Sequence, residues 1–397
     1  MKKTLIALAL TALPVAAMAD VVLYGQIKGG VGSTFSDGNN DGSITQMEDY
    51  GSRIGFKGEE DLGNGLKAIW QVEQRVSLAG EQDSEGFNTR DTFIGLEGGF
   101  GKVRAGYVSD QFNENMETMD IWEYRSGAGA EARGLGYMTR FDGRSQGVRY
   151  DSPDFGGFNF NVTHQLADDA GETAYQNGAE AEGQSTIVGL NYENSGFFGK
   201  VGYGFYKDSA VELDGTTGKK VGDTDGHVAR VEAGYDANNL FVGLAYQYAK
   251  DMGAFGRIGG DGVPLYDVNG ARAQALDING QPVFDKDGNA VMANVGGLVS
   301  EKSHEAAISL AYTFGAVTPK ITYAHGWDQK FGGVKADNSG YDQVIIGADY
   351  ALSKRTTALV SAGWINTATA AQYDKEGNIQ LLDDDIYSVG VGLRHKF

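Results

Sequence analysis

Apolar and polar residues alternate along most of this chain. Across residues 21–31, Val21, Leu23, Ile27 and Val31 take one set of positions and Tyr24, Gln26 and Lys28 the other. Ile54 and Phe56 oppose Arg53 and Lys57, and Leu66, Ala68, Trp70, Val72 and Val76 oppose Lys67, Gln71, Glu73 and Arg75. The same period of two runs through residues 89–96, 102–107, 146–150, 158–166, 185–192, 199–206, 227–235, 240–248, 304–314, 319–327, 342–350 and 356–364, and ends in YSVGVGLRHKF at 387–397. A repeat of two puts successive side chains on opposite faces of a strand and excludes an amphipathic helix. The segments amount to sixteen strands, each with one apolar and one polar face.

Two kinds of connection take turns between them. Short ones lie at 59–65, 97–101, 152–157, 194–198, 236–239, 315–318 and 352–355; long acidic ones, rich in Gly, Asp and Asn, lie at 35–50, 78–88, 108–145, 167–184, 208–226, 250–303, 328–341 and 366–385. Short turns at one rim and long loops at the other predict an all-β, 16-stranded antiparallel up-and-down transmembrane β-barrel. A soluble β-sandwich would bury the apolar face between two sheets, but no second sheet is evident. Closure also pairs every strand edge, as lipid requires. Sixteen strands leave an aqueous channel where eight would be filled by side chains. The polar face then lines it, with Lys28, Arg53, Lys57, Gln71, Glu73, Arg75, Arg90, Lys102, Arg104 and Arg149. For each of these charges the plainer role is to solvate a lumen wall.

Composition narrows the setting. The first 19 residues, with Lys2 and Lys3, an apolar stretch from Leu5 to Leu13 and an A-x-A site at Ala17–Met18–Ala19, read as a secretory signal peptide, leaving residues 20–397 as the barrel domain. No run of 18 apolar residues follows, which removes helical spans. With 0 Cys, stability rests on packing and backbone pairing alone. A net charge of −20 argues against nucleic acid as a partner.

Enzymatic signatures fail on inspection. HEAAI at 304–308 lacks the second His of a zinc protease, and GTTGKK lacks the first Gly and the Ser/Thr of a phosphate loop. No catalytic residue, cofactor or metal is expected. An aromatic-or-Leu, Asp, x, x, Gly unit recurs at 266–270, 276–280, 284–288 and 373–377 and reads as hairpin turns on strands rising beyond the membrane. FDKDGN at 284–289 has part of a calcium loop but not its closing Glu, so turn chemistry is preferred.

Five segments together, DVVLYGQIKGGV, SRIGFKGEEDLGNGLKAIWQVE, TRDTFIGLEGGFGKVRAG, GVRYDSPDFGGF and the terminal VGVGLRHKF, make the chain resemble a general diffusion porin of the Gram-negative outer membrane, of the beta-proteobacterial type. The resemblance implies a homotrimer of barrels, each with its own pore, set among outer-membrane lipid and lipopolysaccharide, in which the third long loop folds inward as a constriction. It carries the constriction-wall roles onto Arg53, Glu73, Arg90 and Arg149, with Lys28, Lys57, Arg75 and Arg104 as further lining, and makes Phe397 the signal read by the outer-membrane assembly machinery. The loop at 108–145 holds Asp110, Glu114, Glu117, Asp120 and Glu123 before its first basic residue, Arg125. Acids facing a basic wall would set a transverse field that sieves small hydrophilic solutes and ions, leaning toward anions. Arg125, Arg133, Arg140 and Arg144 in its later half could neutralise those acids locally, which is why anion preference is only a lean. The competing function is a surface-binding, adhesin-type barrel whose acidic loops engage a host, phage or ligand. Long loops 250–303 and 366–385 depart from the common family length.

Overall fold

The computed structural model describes residues 21–37, 42–80, 90–122, 130–166, 184–213, 220–252, 272–274, 292–294, 300–331, 334–373 and 379–397. The signal segment, Glu123, Arg125 and the Asp-x-x-Gly units at 266–270, 276–280 and 284–288 lie outside them.

The chain forms β1 (Val22–Asp37), β2 (Gly42–Asp49), β3 (Arg53–Gly63), β4 (Leu66–Arg75), β5 (Thr92–Gly98) and β6 (Gly101–Ser109). Two short helices follow, α1 (Gln111–Asn115) and α2 (Ala130–Arg133). Then come β7 (Arg144–Asp151), β8 (Phe158–Gln165), β9 (Ser185–Asn194), β10 (Phe197–Leu213), β11 (Lys220–Ala237) and β12 (Leu240–Lys250). The last group is β13 (Arg272–Gln274), β14 (Met292–Asn294), β15 (Glu301–Tyr312), β16 (Val317–Gly326), β17 (Lys330–Phe331), β18 (Val334–Lys335), β19 (Tyr341–Ala351), β20 (Thr356–Tyr373) and β21 (Ile379–Lys396). Apart from the separate β13–β14 pair, all belong to one sheet of 19 strands.

That sheet is a closed barrel of sixteen staves. The strands β2 and β3 share the second stave, β2 pairing with Gly29–Ser36 and β3 with Val22–Gln26 of β1, while β17 and β18 form a small rim hairpin. Each stave is antiparallel to the next, and β21 returns to β1 from Gln26↔Lys396 to Asp37↔Asp385. At the seam, Gly25 and Phe397 exchange both backbone hydrogen bonds at 3.1 Å. A Cβ on Gly25 would stand 2.7 Å from the Phe397 ring. Among the sixteen described staves no edge remains open.

The two faces are sorted as the alternation requires. Val201, Val231, Leu244, Ile308, Ile346, Val391 and Leu393 are exposed on the outside, while Gln26, Lys28, Arg104, Arg149, Arg230, Gln247 and Glu305 are buried on the inside. An exposed apolar face on a closed sheet is a lipid-facing surface, and it rules out the sandwich. What apolar core exists is inside the barrel, where Phe112 and Met116 pack with Ile187 and Val228, and Met119, Trp122 and Leu135 with Ile345 and Ile365.

Three expected loops are instead largely strand. Most of 35–50 is the end of β1 together with β2, and 208–226 and 366–385 are mostly the extended ends of β10, β11, β20 and β21. Above the membrane neither face is apolar, so the hydrophobic alternation ends although the backbone ladder goes on. The expected rising strand below YDKEG is present as β20, which runs to Tyr373.

Candidate functional site: the inner wall and the segment lying on it

The segment after β6 enters on a capped helix. Asp110 accepts from Asn113 N at 2.8 Å, closing the first turn of α1, and burial pushes its carboxyl up to about 6 despite that bond and the nearby Arg230 and Arg149 charges. Phe112 and Met116 then turn onto the wall at Gly202, where a Cβ would come within 2.6 Å of the Phe112 ring.

From there the segment crosses the polar face of one stave after another. Lys200 Nζ of β10 donates to Asn115 O and to Thr118 Oγ1 at 2.9 and 2.8 Å. Arg230 of β11 pairs with Asp142 at 2.7 Å, and Ser309 of β15 donates to Met119 O at 3.0 Å. On β16, Thr322 accepts from Trp122 Nε1 at 2.9 Å and Lys320 Nζ donates to Ile121 O at 2.9 Å. Gln343 of β19 donates to Gly134 O at 2.8 Å. The far end is a buried group in which Arg133 pairs with Glu48 and donates to Ser388 Oγ at 2.7 Å. Every wall group in this series belongs to the inward face, so the described parts of 110–143 lie against the inside of the barrel. Glycines admit it: a Cβ at Gly363 would stand 1.9 Å from Ala132 O, and one at Gly390 2.1 Å from the Arg133 guanidinium.

The wall residues anticipated from the sequence separate into groups. Arg53 lies 3.6 Å from Glu73, and Arg90 pairs with the other oxygen of the same carboxylate. In the β3–β4 ladder Arg53 stands opposite Arg75, and Lys57 sits 5.3 Å over the Tyr24 ring. Arg53 keeps 36% of its side chain exposed. Arg149 keeps 0%, because it bonds Asp151, Ser109 O at 2.9 Å and Asn115 Oδ1 at 2.7 Å beneath α1. Arg104 beside it bonds Glu114 and Asp151, each at 2.8 Å. Lys28 is buried where the second stave is interrupted, its backbone N donating to Ser52 Oγ at 2.9 Å.

The loop acids separate likewise. Asp110 is the helix cap and Glu114 touches Arg104, with Arg149 at 3.4 Å; Glu117 and Asp120 are partly exposed further along. Of the loop's own basic residues, Arg133 pairs with Glu48, Arg140 with Glu305 and Arg144 with Asp91. Sequence reasoning missed these anchors and the glycines beneath them; glycine at inward positions of successive staves was the available signal.

A closed sixteen-stave barrel with an apolar exterior and a charged interior defines the class: a water-filled channel through a membrane. Residues 19–397 match the Gram-negative porin family, and the chain belongs to it. It is 41% identical over 412 positions to the major outer membrane protein P.IB of Neisseria sicca, covering 100% of both chains, and 38% identical over full length to the P.IB protein of Neisseria gonorrhoeae. Among solved structures it is similar in fold to an anion-selective porin from Comamonas acidovorans, with a TM-score of 0.65 and 22% identity over 96% of this chain and 100% of that one. It is also similar to Salmonella typhi OmpF in complex with daunomycin, with a TM-score of 0.56 and 20% identity over 96% and 98%. The protein is an outer-membrane diffusion channel, a channel rather than an enzyme, and the adhesin alternative is not favoured.

Proposed function

We propose that permeation is controlled where the inner segment faces the uncovered basic arc of β3, β4 and the Arg90 turn. Arg53, Arg75, Arg90 and Lys57 supply positive charge on one side, tempered by Glu73, and Glu117 and Asp120 supply negative charge on the other. Small hydrophilic solutes and ions exchange part of their hydration for these side chains as they pass, and the basic excess gives a weak anion preference. Arg104, Arg149, Asp110 and Glu114 hold the entering helix rather than touch solutes. The observation that carries this reading is the difference in exposure between Arg53 and Arg149. The likeness in fold to the anion-selective porin of Comamonas acidovorans is in keeping with the sign of the preference.

The functional unit on this reading is a homotrimer with three pores, exported by residues 1–19. Phe397, whose backbone pairing closes the seam, serves as the assembly signal, so residues appended after it reduce assembly more than conductance. Planar bilayers provide the test. Open-channel steps in groups of three, with liposome swelling by small sugars but not large ones, are expected; a silent barrel would contradict it.

A further inference from the structure

Cations line up across the seam of the barrel. Gln26 of β1 stands opposite Lys396 of β21 on one side and Arg53 of β3 on the other, and Arg53 stands opposite Arg75 of β4. Directly opposed residues of antiparallel strands present their side chains to one face. Gln26 is buried on the inner face, so Lys396, Arg53 and Arg75 form one level row on the lumen wall. Arg394 stands one inward position toward the long loops, and Lys57, beside the Tyr24 ring, two toward the short turns. The inner segment meets β21 at Ser388 and Gly390, above this row. Like charges set side by side on a sheet are destabilising, and both Arg394 and Arg53 repel Lys396. Glu73 is held between Arg53 and Arg90. Lys396 and Lys57 are exposed and have no ion pair among the described residues. In a chain of net charge −20, such a row is out of keeping with its surroundings and suited to negative charge brought by a solute.

The spacing identifies the solute. Neighbouring strands lie about 4.8 Å apart, so Lys396 and Arg53 start roughly 10 Å apart along the wall, with the neutral Gln26 between them. Their side chains lean into a curved lumen, and the gap between the charged ends is shorter. A small monoanion reaches one end of the row. A solute with an acid group at each end of a short chain reaches both, one carboxylate between Arg394 and Lys396 and the other on Arg53 and Arg75. Guanidinium forks match a carboxylate with two parallel hydrogen bonds.

We propose that the seam row is a binding station for linear dicarboxylates of about six to eight carbons, the length that spans the gap, with Arg394 and Lys396 as specificity-determining residues. The inference rests on the reading that solutes pass along the basic arc, and it adds a preferred class of solute to a weak preference for anions. Lys57 continues the positive track toward the short-turn mouth, so a bound dianion has an onward partner.

The test uses the refolded full-length channel in planar bilayers in potassium chloride, with the potassium salt of malonate, adipate, suberate or hexanoate added to one side. The readout is the concentration that halves the chloride current. Adipate and suberate should act at about tenfold lower concentration than malonate, which is too short, or hexanoate, which carries one charge. Arg394→Gln with Lys396→Gln should remove that advantage, and Arg394→Lys with Lys396→Arg should keep it. Lys302→Gln with Lys330→Gln, at exposed lysines in the outward set of Ile308 on the long-loop rim, should leave it unchanged. Heat-modifiable mobility on gels verifies folding. Independently of any variant, the wild-type advantage should shrink as salt rises. Hexanoate or malonate acting as strongly as adipate, or an advantage that survives in the double Gln variant, would overturn the proposal. The chloride-to-potassium preference is read in the same bilayers. A cation-preferring wild type contradicts the pore reading and this inference together, whereas an anion-preferring channel indifferent to dicarboxylate length contradicts this inference alone.

Discussion

The arc of inner wall that carries the loop and the arc that faces it are built from the same residue types with opposite outcomes. On the carrying arc, Arg149 and Arg230 are sealed against carboxylates and carbonyls, as is the loop's own Arg133 against Glu48, and their charge is spent in contact. On the facing arc, Arg53 and Arg90 share Glu73 and part of their surface meets the lumen. Arginine in a barrel interior is therefore either an anchor or a lining group, and exposure tells which.

The largest effect should come from unseating the loop. Arg133→Ala leaves Glu48 as a buried carboxylate without its guanidinium, a change that costs roughly 3–5 kcal/mol. Gly363→Leu drives a side chain into the Ala132 carbonyl. Both should give larger, noisier conductance steps and a lower unfolding temperature while the barrel stays closed. If either variant conducts as wild type does, the loop does not limit the pore. Next comes charge reversal on the facing arc. Arg53→Glu with Arg90→Glu should move the anion-to-cation permeability ratio about threefold or more toward cations, whereas Arg149→Gln should change stability far more than selectivity. Glu73→Gln removes the acid between the two arginines and should shift the ratio modestly, less than about twofold, toward anions.

The smallest effect on permeation belongs to Asp110. Its folded carboxyl titrates at about 6, above the ordinary 3.8, so the neutral form is favoured in the folded state. The stability it contributes is complete below about pH 4 and is lost as pH rises through about 6. A thermal scan should show wild type losing on the order of 1–3 kcal/mol across that window. Asp110→Asn should be flat there, with no change in selectivity.

Much of this was legible because lipid and water act on opposite faces of each stave. Ile54 against Arg53 and Val148 against Arg149 leave no freedom in register. The extensions of β10 and β20 were hidden, since Asp208 and Thr367 lie where the outer face no longer meets lipid and no apolar partner marks the period. The roles of individual arginines were hidden for a different reason. GVRY and SRIGF each place one arginine inward, and nothing local records that α1 comes to rest on Arg149 while Arg53 stays uncovered. Lys396 and Arg53 stand near opposite ends of the sequence, and only the closing of the seam through Gln26 brings them together.

The reversal potential of the wild-type channel across a potassium chloride gradient bears on the account most directly. A potential on the anion side, moving toward cation preference in the Arg53→Glu, Arg90→Glu channel and staying put in Lys302→Gln, Lys330→Gln, is predicted. A cation-preferring wild type, or a potential indifferent to Arg53 and Arg90, would contradict it.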